Sequence, residues 1–489
     1  MKKAGILLPL SSLPSPYGIG TMGKEAYRFI DFLKESNQVI WQLLPIHQTS
    51  YGDSPYQSPS AFAGNPYFID IDELIEQGLL TKKEVKDQPP TTEYVDYAHV
   101  YYARYPLLRK AFARFDAANY PDYEDFCLQN AFWLDDYATF MAIKSTYEFQ
   151  GRNTWALSDR RKDTLPADKT IDQNECNFWK FLQYFFFTQW EKMHAYAKSQ
   201  GIALVGDMPI YVADDSADVW ANPTMFCLNA KGMTKTVAGV PPDYFSATGQ
   251  LWGNPLYDWK AMKADQYNWW YERLRVAFSL FDIVRIDHFR GFCNYWSIPA
   301  GEETAVNGKW INGPGATMFT DLEKRFGYRL PLIAEDLGDL DAKVYKMLNK
   351  LAYPGMKVLQ FAFDGEDSEY LPKNYTENCV VYTGTHDNRT TLGWLNDRNY
   401  DQRVRFERNV PAYRGAKDLD RLIRFAHDSC AEYSIIPMQD YLGLDDVARI
   451  NTPGTLGDNW KWRLAKNYDK ASLKNHIRKL TEISGRNQE

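Results

Sequence analysis

The sequence predicts an α/β protein, specifically a (β/α)8 TIM barrel with helical insertions between barrel strands. Eight short runs are almost entirely apolar and end in polar residues, which is typical of parallel strands covered on both faces. Segments with helical periodicity lie between most of these runs, as expected for repeated strand–helix units. Doubly wound sheets alternate in the same way, so the count of eight is what favours a barrel.

The eight predicted strands are spread from the first residues to the last sixty of the chain. In chain order they are AGILLPLSS from Ala4, QVIWQLLPIH from Gln38, IALVGDMPI from Ile202, FDIVRIDHF from Phe281, LPLIAEDLG from Leu330, MKVLQFAFD from Met356, CVVYTGTHDN from Cys379 and YSIIPMQD from Tyr433. In a barrel, catalytic groups lie at the carboxyl ends of such strands, where these runs become polar.

Several segments between the strands are predicted helices. In residues 23–37, the side chains of Ala26, Phe29, Ile30 and Leu33 fall on one helical face. Similar patterns begin at Asn268, Asp341 and Lys417. These helices would cover the outside of the barrel.

Two insertions interrupt the strand–helix rhythm of a single catalytic barrel domain over residues 1–489. The first, residues 49–200, is predicted to be mainly helical, and its aromatic stripe at helical spacing (Phe178, Phe181 and Phe185) indicates core packing rather than ligand binding. The second, residues 213–267, contains the Gly-, Pro- and aromatic-rich stretch 234–259. That stretch is typical of neither helix nor strand, and it predicts a long loop that covers the substrate.

Composition narrows the classes of partner. The 56 Lys and Arg residues against 63 Asp and Glu residues give a net charge of −7 without charge blocks, which does not favour nucleic acid or an anionic membrane. The six cysteines form no CxxC pair, which indicates no zinc site or disulfide framework. The apolar start is broken by Pro9, so we expect no secretion signal and a cytoplasmic location. Nothing in the sequence predicts an oligomeric state.

Carboxylates terminate four of the predicted strands: Asp207, Asp287, Glu335 and Asp387. A single Asp in such a place is more often structural than catalytic, but four independent strands with the same ending predict one acidic site. Arg285 lies two residues before Asp287, so both side chains point to the same side of the strand. The attraction of Arg285 would keep Asp287 ionised where burial alone favours protonation.

Paired carboxylates without an evident Cys, Ser or Lys nucleophile are typical of glycoside transfer. One carboxylate attacks the anomeric carbon while a protonated partner donates to the leaving oxygen. Arg285 suits Asp287 to the ionised, nucleophilic role, which leaves Glu335 as the proton donor. Aromatic residues crowd the predicted loops, and flat rings with polar tips suit the faces of sugars.

Two functions from other classes stay open on the residues alone. In a metal-dependent barrel of the enolase type, Asp207, Asp287 and Glu335 would hold Mg²⁺. That chemistry needs a Lys or His base, yet the strand ends offer no Lys, and Arg285 would compete with the metal. A catalytically silent glucan-binding protein is the other alternative, and it would leave the three carboxylates Asp287, Glu335 and Asp387 without a purpose.

Four sequence stretches resemble signature regions of the α-amylase superfamily, in the forms found in 4-alpha-glucanotransferases, also called amylomaltases or disproportionating enzymes. They are GDMPIYV, VRIDHFRGF, LIAEDLG and VYTGTHDN. The loops YGDSPYQSPSAFAGNPY and AGVPPDYFSATGQLWGNP and the stretch PGMKVLQFAF strengthen the resemblance, which extends from about Gly5 to Arg463.

The resemblance implies retaining transfer of α-1,4-glucan segments to glucose or another glucan, within a (β/α)8 barrel. Maltooligosaccharides and α-1,4-glucans would be the partners, and no cofactor or metal would be needed. The implied catalytic residues are Asp287 as nucleophile, Glu335 as acid/base and Asp387 as the third carboxylate. The implied substrate-binding residues are Ser54, Tyr56, Asp207, Arg285, His386, Asp243, Gln250, Trp252 and Asn459.

Overall fold

The computed structural model describes residues 2–242 and 246–487. The strands are β1 Lys3–Leu7, β2 Ile40–Gln42, β3 Ala203–Pro209, β4 Thr236–Val240, β5 Gln250–Pro255, β6 Ile283–Asp287, β7 Asn294–Pro299, β8 Lys309–Asn312, β9 Leu332–Ala334, β10 Gly355–Val358, β11 Cys379–Tyr382 and β12 Tyr433–Pro437.

The α-helices are distributed between these strands and after the last of them. They are α1 Lys24–Glu35, α2 Ile71–Glu76, α3 Tyr97–Phe112, α4 Tyr123–Thr146, α5 Gln173–Ser199, α6 Ala217–Ala221, α7 Trp259–Ala264, α8 Asn268–Leu280, α9 Ala316–Phe326, α10 Ala342–Leu351, α11 Thr391–Asp397, α12 Tyr400–Asn409, α13 Asp418–Asp428, α14 Met438–Leu442 and α15 Ala471–Ile483.

Eight parallel strands form one sheet in the order β10-β11-β12-β1-β2-β3-β6-β9. The two edge strands meet where Ala334 N donates a 2.9 Å hydrogen bond to Pro354 O, so the sheet curls into a barrel. Each predicted apolar run overlaps one of these strands, and the prediction of a (β/α)8 barrel is confirmed.

Side chains alternate between the barrel interior and the layer beneath the helices. Val205, Ile333 and Val380 pack together inside the barrel, whereas Val284 and Ile286 belong to the larger outer core. Because successive side chains of a strand point to opposite faces, Arg285 and Asp287 of β6 share the interior side. The alternation therefore directs the charged pair along the barrel axis.

The span 49–200 contains α2 to α5, and its longest helix, α5, is rich in buried aromatic residues. Phe178, Phe181 and Phe185 of the predicted stripe are all buried, which confirms that the stripe serves core packing. Phe181 lies against Phe115, with ring centroids 5.1 Å apart.

In the described part of the chain, no helix is long and apolar enough to cross a membrane.

A second, antiparallel sheet has the order β5-β4-β7-β8. Its strands β4 and β5 lie in the stretch 234–259, so the prediction of a loop there is wrong for these residues. Strand β4 pairs with β7, which follows β6 along the chain. This pairing supplies hydrogen bonds that the local sequence does not reveal. At Gly239 a Cβ atom would lie 2.2 Å from Gln250 O, so the close strand approach requires glycine.

Candidate active site

A cavity of about 1140 Å³ opens at the carboxyl ends of the barrel strands. Its walls include the ends of β3, β6 and β9, the loop after β11, and strand β5 of the second sheet. The three predicted catalytic residues, Asp287, Glu335 and Asp387, all line it. The chain therefore brings the three carboxylates to one cavity from three different strands or strand ends.

Arg285 binds two of the four strand-end carboxylates at once. Its Nη1 lies 2.7 Å from both carboxylate oxygens of Asp207, and its Nη2 donates to Asp287 Oδ1 at 2.9 Å. The side chains of Arg285 and Asp207 are almost completely buried, whereas 30% of the Asp287 side chain stays exposed to the cavity. A buried guanidinium is thus neutralised, and one carboxylate remains accessible.

Tyr56 and His386 extend this network on the other side of Asp207. The Tyr56 hydroxyl donates to Asp207 Oδ2 at 2.8 Å and lies 2.8 Å from His386 Nε2, which is 3.4 Å from Asp387 Oδ2. Burial is the main reason why the pKa of Tyr56 lies well above its ordinary value, and the Asp207 charge adds to it. Tyr56 therefore keeps its proton and acts as a donor.

Glu335 follows β9 directly and is held by backbone groups rather than by a cation. Its Oε2 accepts from His288 N at 2.7 Å and its Oε1 from Leu337 N at 2.8 Å. His288 has a left-handed backbone with φ 54°, which turns the chain away from β6 beside Glu335. Burial lowers the pKa of His288 to about 3, so its ring is neutral.

The carboxyl groups of Asp287 and Glu335 have different electrostatic surroundings. Burial and then the charge of Asp287 raise the pKa of Glu335, against the opposing effects of Arg285 and the two backbone N–H groups. Burial also raises the pKa of Asp287, but by less, because Arg285 is its strongest opposing neighbour. The pair therefore loses its first proton from Asp287 and holds the last one on Glu335.

The remaining predicted substrate-binding residues have two kinds of position. Ser54, Tyr56, Arg285, Gln250, Trp252 and Asn459 line the cavity. Asp207 and His386 are buried behind Tyr56. Asp243 lies outside the described residues.

Sequence reasoning missed part of the cavity. Asn451 donates to Asp387 Oδ1 at 2.6 Å and so orients that carboxylate. Phe361 and Tyr370 form another stretch of wall, with ring centroids 5.4 Å apart. Asn451 does not directly follow a predicted strand, so no local pattern marked it as part of the site. For the wall formed by Phe361 and Tyr370, the aromatic content of the segment after β10 was the only indication in the sequence.

The strand-end carboxylates do not form a metal-binding cluster. Asp207 and Asp287 both contact the Arg285 guanidinium, which occupies the position between them that a cation would need. Within residues 2–242 and 246–487, no group of three or more His, Cys, Asp or Glu side chains is arranged to hold a metal ion. The donor set therefore does not fit the enolase-type alternative.

The sequence matches a known protein family. A family model described as 4-alpha-glucanotransferase, of glycoside hydrolase family 77, matches residues 8–468. The chain belongs to this family. A 4-alpha-glucanotransferase of Streptococcus pneumoniae is 45% identical over 493 residues, covering 99% of this chain and 97% of that protein. One of Clostridium butyricum is 45% identical over 486 residues, covering 98% and 99%.

A solved structure gives the same result in three dimensions. The amylomaltase from Streptococcus agalactiae, in complex with acarbose, superimposes with a TM-score of 0.94 at 37% identity, covering 99% of this chain and 100% of that one. The chain is therefore an enzyme of the 4-alpha-glucanotransferase family with the amylomaltase fold. The enolase-type and silent-binder alternatives gain no support.

Proposed function

We propose that this enzyme transfers α-1,4-glucan segments from a maltooligosaccharide or glucan to the 4-hydroxyl of glucose or another glucan, with retention. The observation that carries the assignment of roles is the asymmetry between two carboxyl groups in one cavity. Asp287 has a guanidinium at 2.9 Å, whereas Glu335 contacts backbone N–H groups and has the more strongly raised pKa. Such a pair supplies one nucleophile and one acid.

In the first half-reaction, Asp287 attacks the anomeric carbon of the donor. Its Oδ1 is bound by Arg285, which leaves Oδ2 to form the new C1–O bond. As the glycosidic C1–O bond breaks, its electron pair stays on the departing oxygen, which takes the proton of Glu335. The products are a glycosyl–Asp287 ester, ionised Glu335 and a free glucan.

In the second half-reaction, Glu335 acts as the base. It removes the proton from the 4-hydroxyl of an acceptor, whose oxygen attacks C1 while the bond from C1 to Asp287 breaks. Asp287 returns to its ionised state beside Arg285, and Glu335 is protonated again. Two inversions at C1 give net retention of configuration.

Asp387 is proposed to hold hydroxyl groups of the sugar that reacts. Asn451 and His386 contact its two carboxylate oxygens, so its orientation is defined before substrate binds. Tyr56 supports His386 and presents its ring to the cavity. Preorganised groups of this kind favour the transition state because they need no rearrangement.

Strand β5 is proposed to favour transfer over hydrolysis. Gln250, Leu251 and Trp252 line the cavity, and the Trp252 ring meets His288 edge-on with centroids 4.8 Å apart. His288 N is the donor to Glu335, so Trp252 lies close to the acid/base. A bulky ring there excludes water and supports the acceptor sugar.

Maltooligosaccharides and α-1,4-glucans are the proposed partners, because the cavity is lined by aromatic rings and carboxylates that suit neutral sugars. We also propose a cytoplasmic location, since all six cysteines are free thiols.

Two experiments test the activity and the roles. Incubation with maltotriose should yield a ladder of shorter and longer oligomers; glucose and maltose alone would indicate a hydrolase, and no change would indicate a binder. An α-maltotriosyl fluoride donor tests the roles, because fluoride leaves without protonation. Glu335→Gln should still release a burst of fluoride, whereas Asp287→Asn should release none. The reverse pattern would exchange the two roles.

A further inference from the structure

Arg290 lies three residues after Asp287, yet its side chain contacts the segment that follows Glu335. Its Nη1 donates to Asp339 O at 2.6 Å, and Asp339 lines the cavity four residues after Glu335. Its side chain is only 14% exposed. One guanidinium therefore connects the segment that carries Asp287 to the segment that carries Glu335.

A second contact strengthens this connection. Arg290 Nη2 donates to Asn294 Oδ1 at 2.9 Å, and Asn294 Nδ2 donates to Asp341 Oδ2 at 2.6 Å. Asp341 is the N-cap of α10, because its other oxygen accepts from Lys343 N and Val344 N. The turn after Glu335 is thus held at Asp339 and at the start of a helix.

The remaining surroundings of Arg290 restrict its side chain to this position. Its guanidinium carbon lies 4.3 Å from the ring centroid of Trp310, on strand β8 of the second sheet. A planar guanidinium stacks its face on an aromatic ring while its in-plane N–H groups donate in two directions, whereas a compact ammonium group has no planar face to stack. These contacts explain why arginine suits the site better than lysine.

We propose that Arg290 is a positioning residue for the transfer reaction: it fixes the turn that carries Glu335 relative to Asp287. Backbone hydrogen bonds from Glu335 N to Ile286 O and from Phe289 N to Glu335 O align only the first residue of that turn. Asp336 Oδ1 accepts from Met356 N at 2.6 Å. The residues that follow, Leu337, Gly338 and Asp339, line the cavity, and Arg290 holds this far end of the turn through Asp339. The inference rests on the proposed function, because it assumes that Glu335 transfers the proton.

The position of Glu335 matters most when the leaving group needs a proton. Arg290→Gln should therefore lower the first-step rate with maltotriose by on the order of 10²-fold, the effect of a small misplacement of a catalytic group. The burst of fluoride from α-maltotriosyl fluoride should stay near the wild-type rate. Arg290→Lys keeps the charge and one donor contact. Its first-step rate with maltotriose should therefore lie between those of the wild type and Arg290→Gln.

Asn294→Ala tests the second contact and should show the same selective pattern with a smaller effect. Arg275→Gln is a matched control, because Arg275 is an exposed arginine that does not line the cavity. It forms an ion pair with Glu272 on its own helix, and its guanidinium carbon lies 5.0 Å from the ring centroid of Phe132. Thermal unfolding of each variant separates folding from chemistry. An equal loss with both donors, or no loss with either, would overturn the role of Arg290, whereas failure of the wild-type enzyme to form longer oligomers would overturn the proposed function instead.

Discussion

The buried ion pair between Arg285 and Asp207 leads to a quantitative prediction for Arg285→Gln. Exposure is 3% for the Arg285 side chain and 0% for that of Asp207, and Nη1 lies 2.7 Å from the carboxylate. Removing the guanidinium leaves a carboxylate buried without a cation, which costs about 3–5 kcal/mol in other proteins. We expect the free energy of unfolding of Arg285→Gln to fall by about that amount.

Urea denaturation of four proteins measures this effect: wild type, Arg285→Gln, Asp207→Asn and the variant with both substitutions. The double variant has no uncompensated charge at Asp207, so it should recover much of the lost stability. The double-mutant cycle then gives the coupling energy between the two side chains. The reasoning would be refuted if the free energy of unfolding of Arg285→Gln fell by less than about 1 kcal/mol, or if the double variant were no more stable than Arg285→Gln.

Activity should respond through Asp287. Arg285 is the strongest effect that opposes the raised pKa of this carboxyl group, so Arg285→Gln should raise that pKa further. The nucleophile must be ionised, so the acid limb of kcat/KM should move to higher pH. Because the folded pKa of Asp287 lies above its unfolded value of about 3.9, its contribution to stability is complete below that pH and is lost as pH rises through the folded pKa. The destabilisation of Arg285→Gln relative to the wild type should therefore be smaller at low pH than at neutral pH.

The alkaline limb of kcat/KM for the wild type should lie well above the pKa of about 4.3 of free glutamic acid, because Glu335 must be protonated and its pKa is raised. If the pH profile of kcat/KM for Glu335→Gln still showed this alkaline limb, the limb could not be assigned to Glu335. Asn451→Ala should lower kcat/KM by about tenfold or more, because Asp387 loses a charge-assisted hydrogen bond; steady-state kinetics with maltotriose decides. Trp252→Ala should raise the ratio of free glucose to longer oligomers, and an unchanged ratio would remove the role of its ring. Dialysis against EDTA should leave the maltotriose ladder unchanged.

Local pattern was sufficient for the barrel and for the positions of its carboxylates. Continuous apolar runs identify strands buried on both faces, and the residue at which each run becomes polar marks the end of the strand that faces the cavity. Asp287 and Glu335 were found in this way, and the two-residue spacing correctly placed Arg285 beside Asp287. The second sheet was missed, because β4 becomes a strand by pairing with β5 and β7 rather than by its own composition.

The sequence by itself therefore determined which groups could react, since strand periodicity and charge are local properties of neighbouring residues. Only the tertiary structure decided which partner each group has. Arg285 contacts Asp207 across 78 residues, and Asn451 contacts Asp387 across 64 residues. Hydrogen bonds and desolvation act over a few ångströms in space, regardless of separation along the chain, so the proton of Glu335 and the charge of Asp287 depend on the folded barrel.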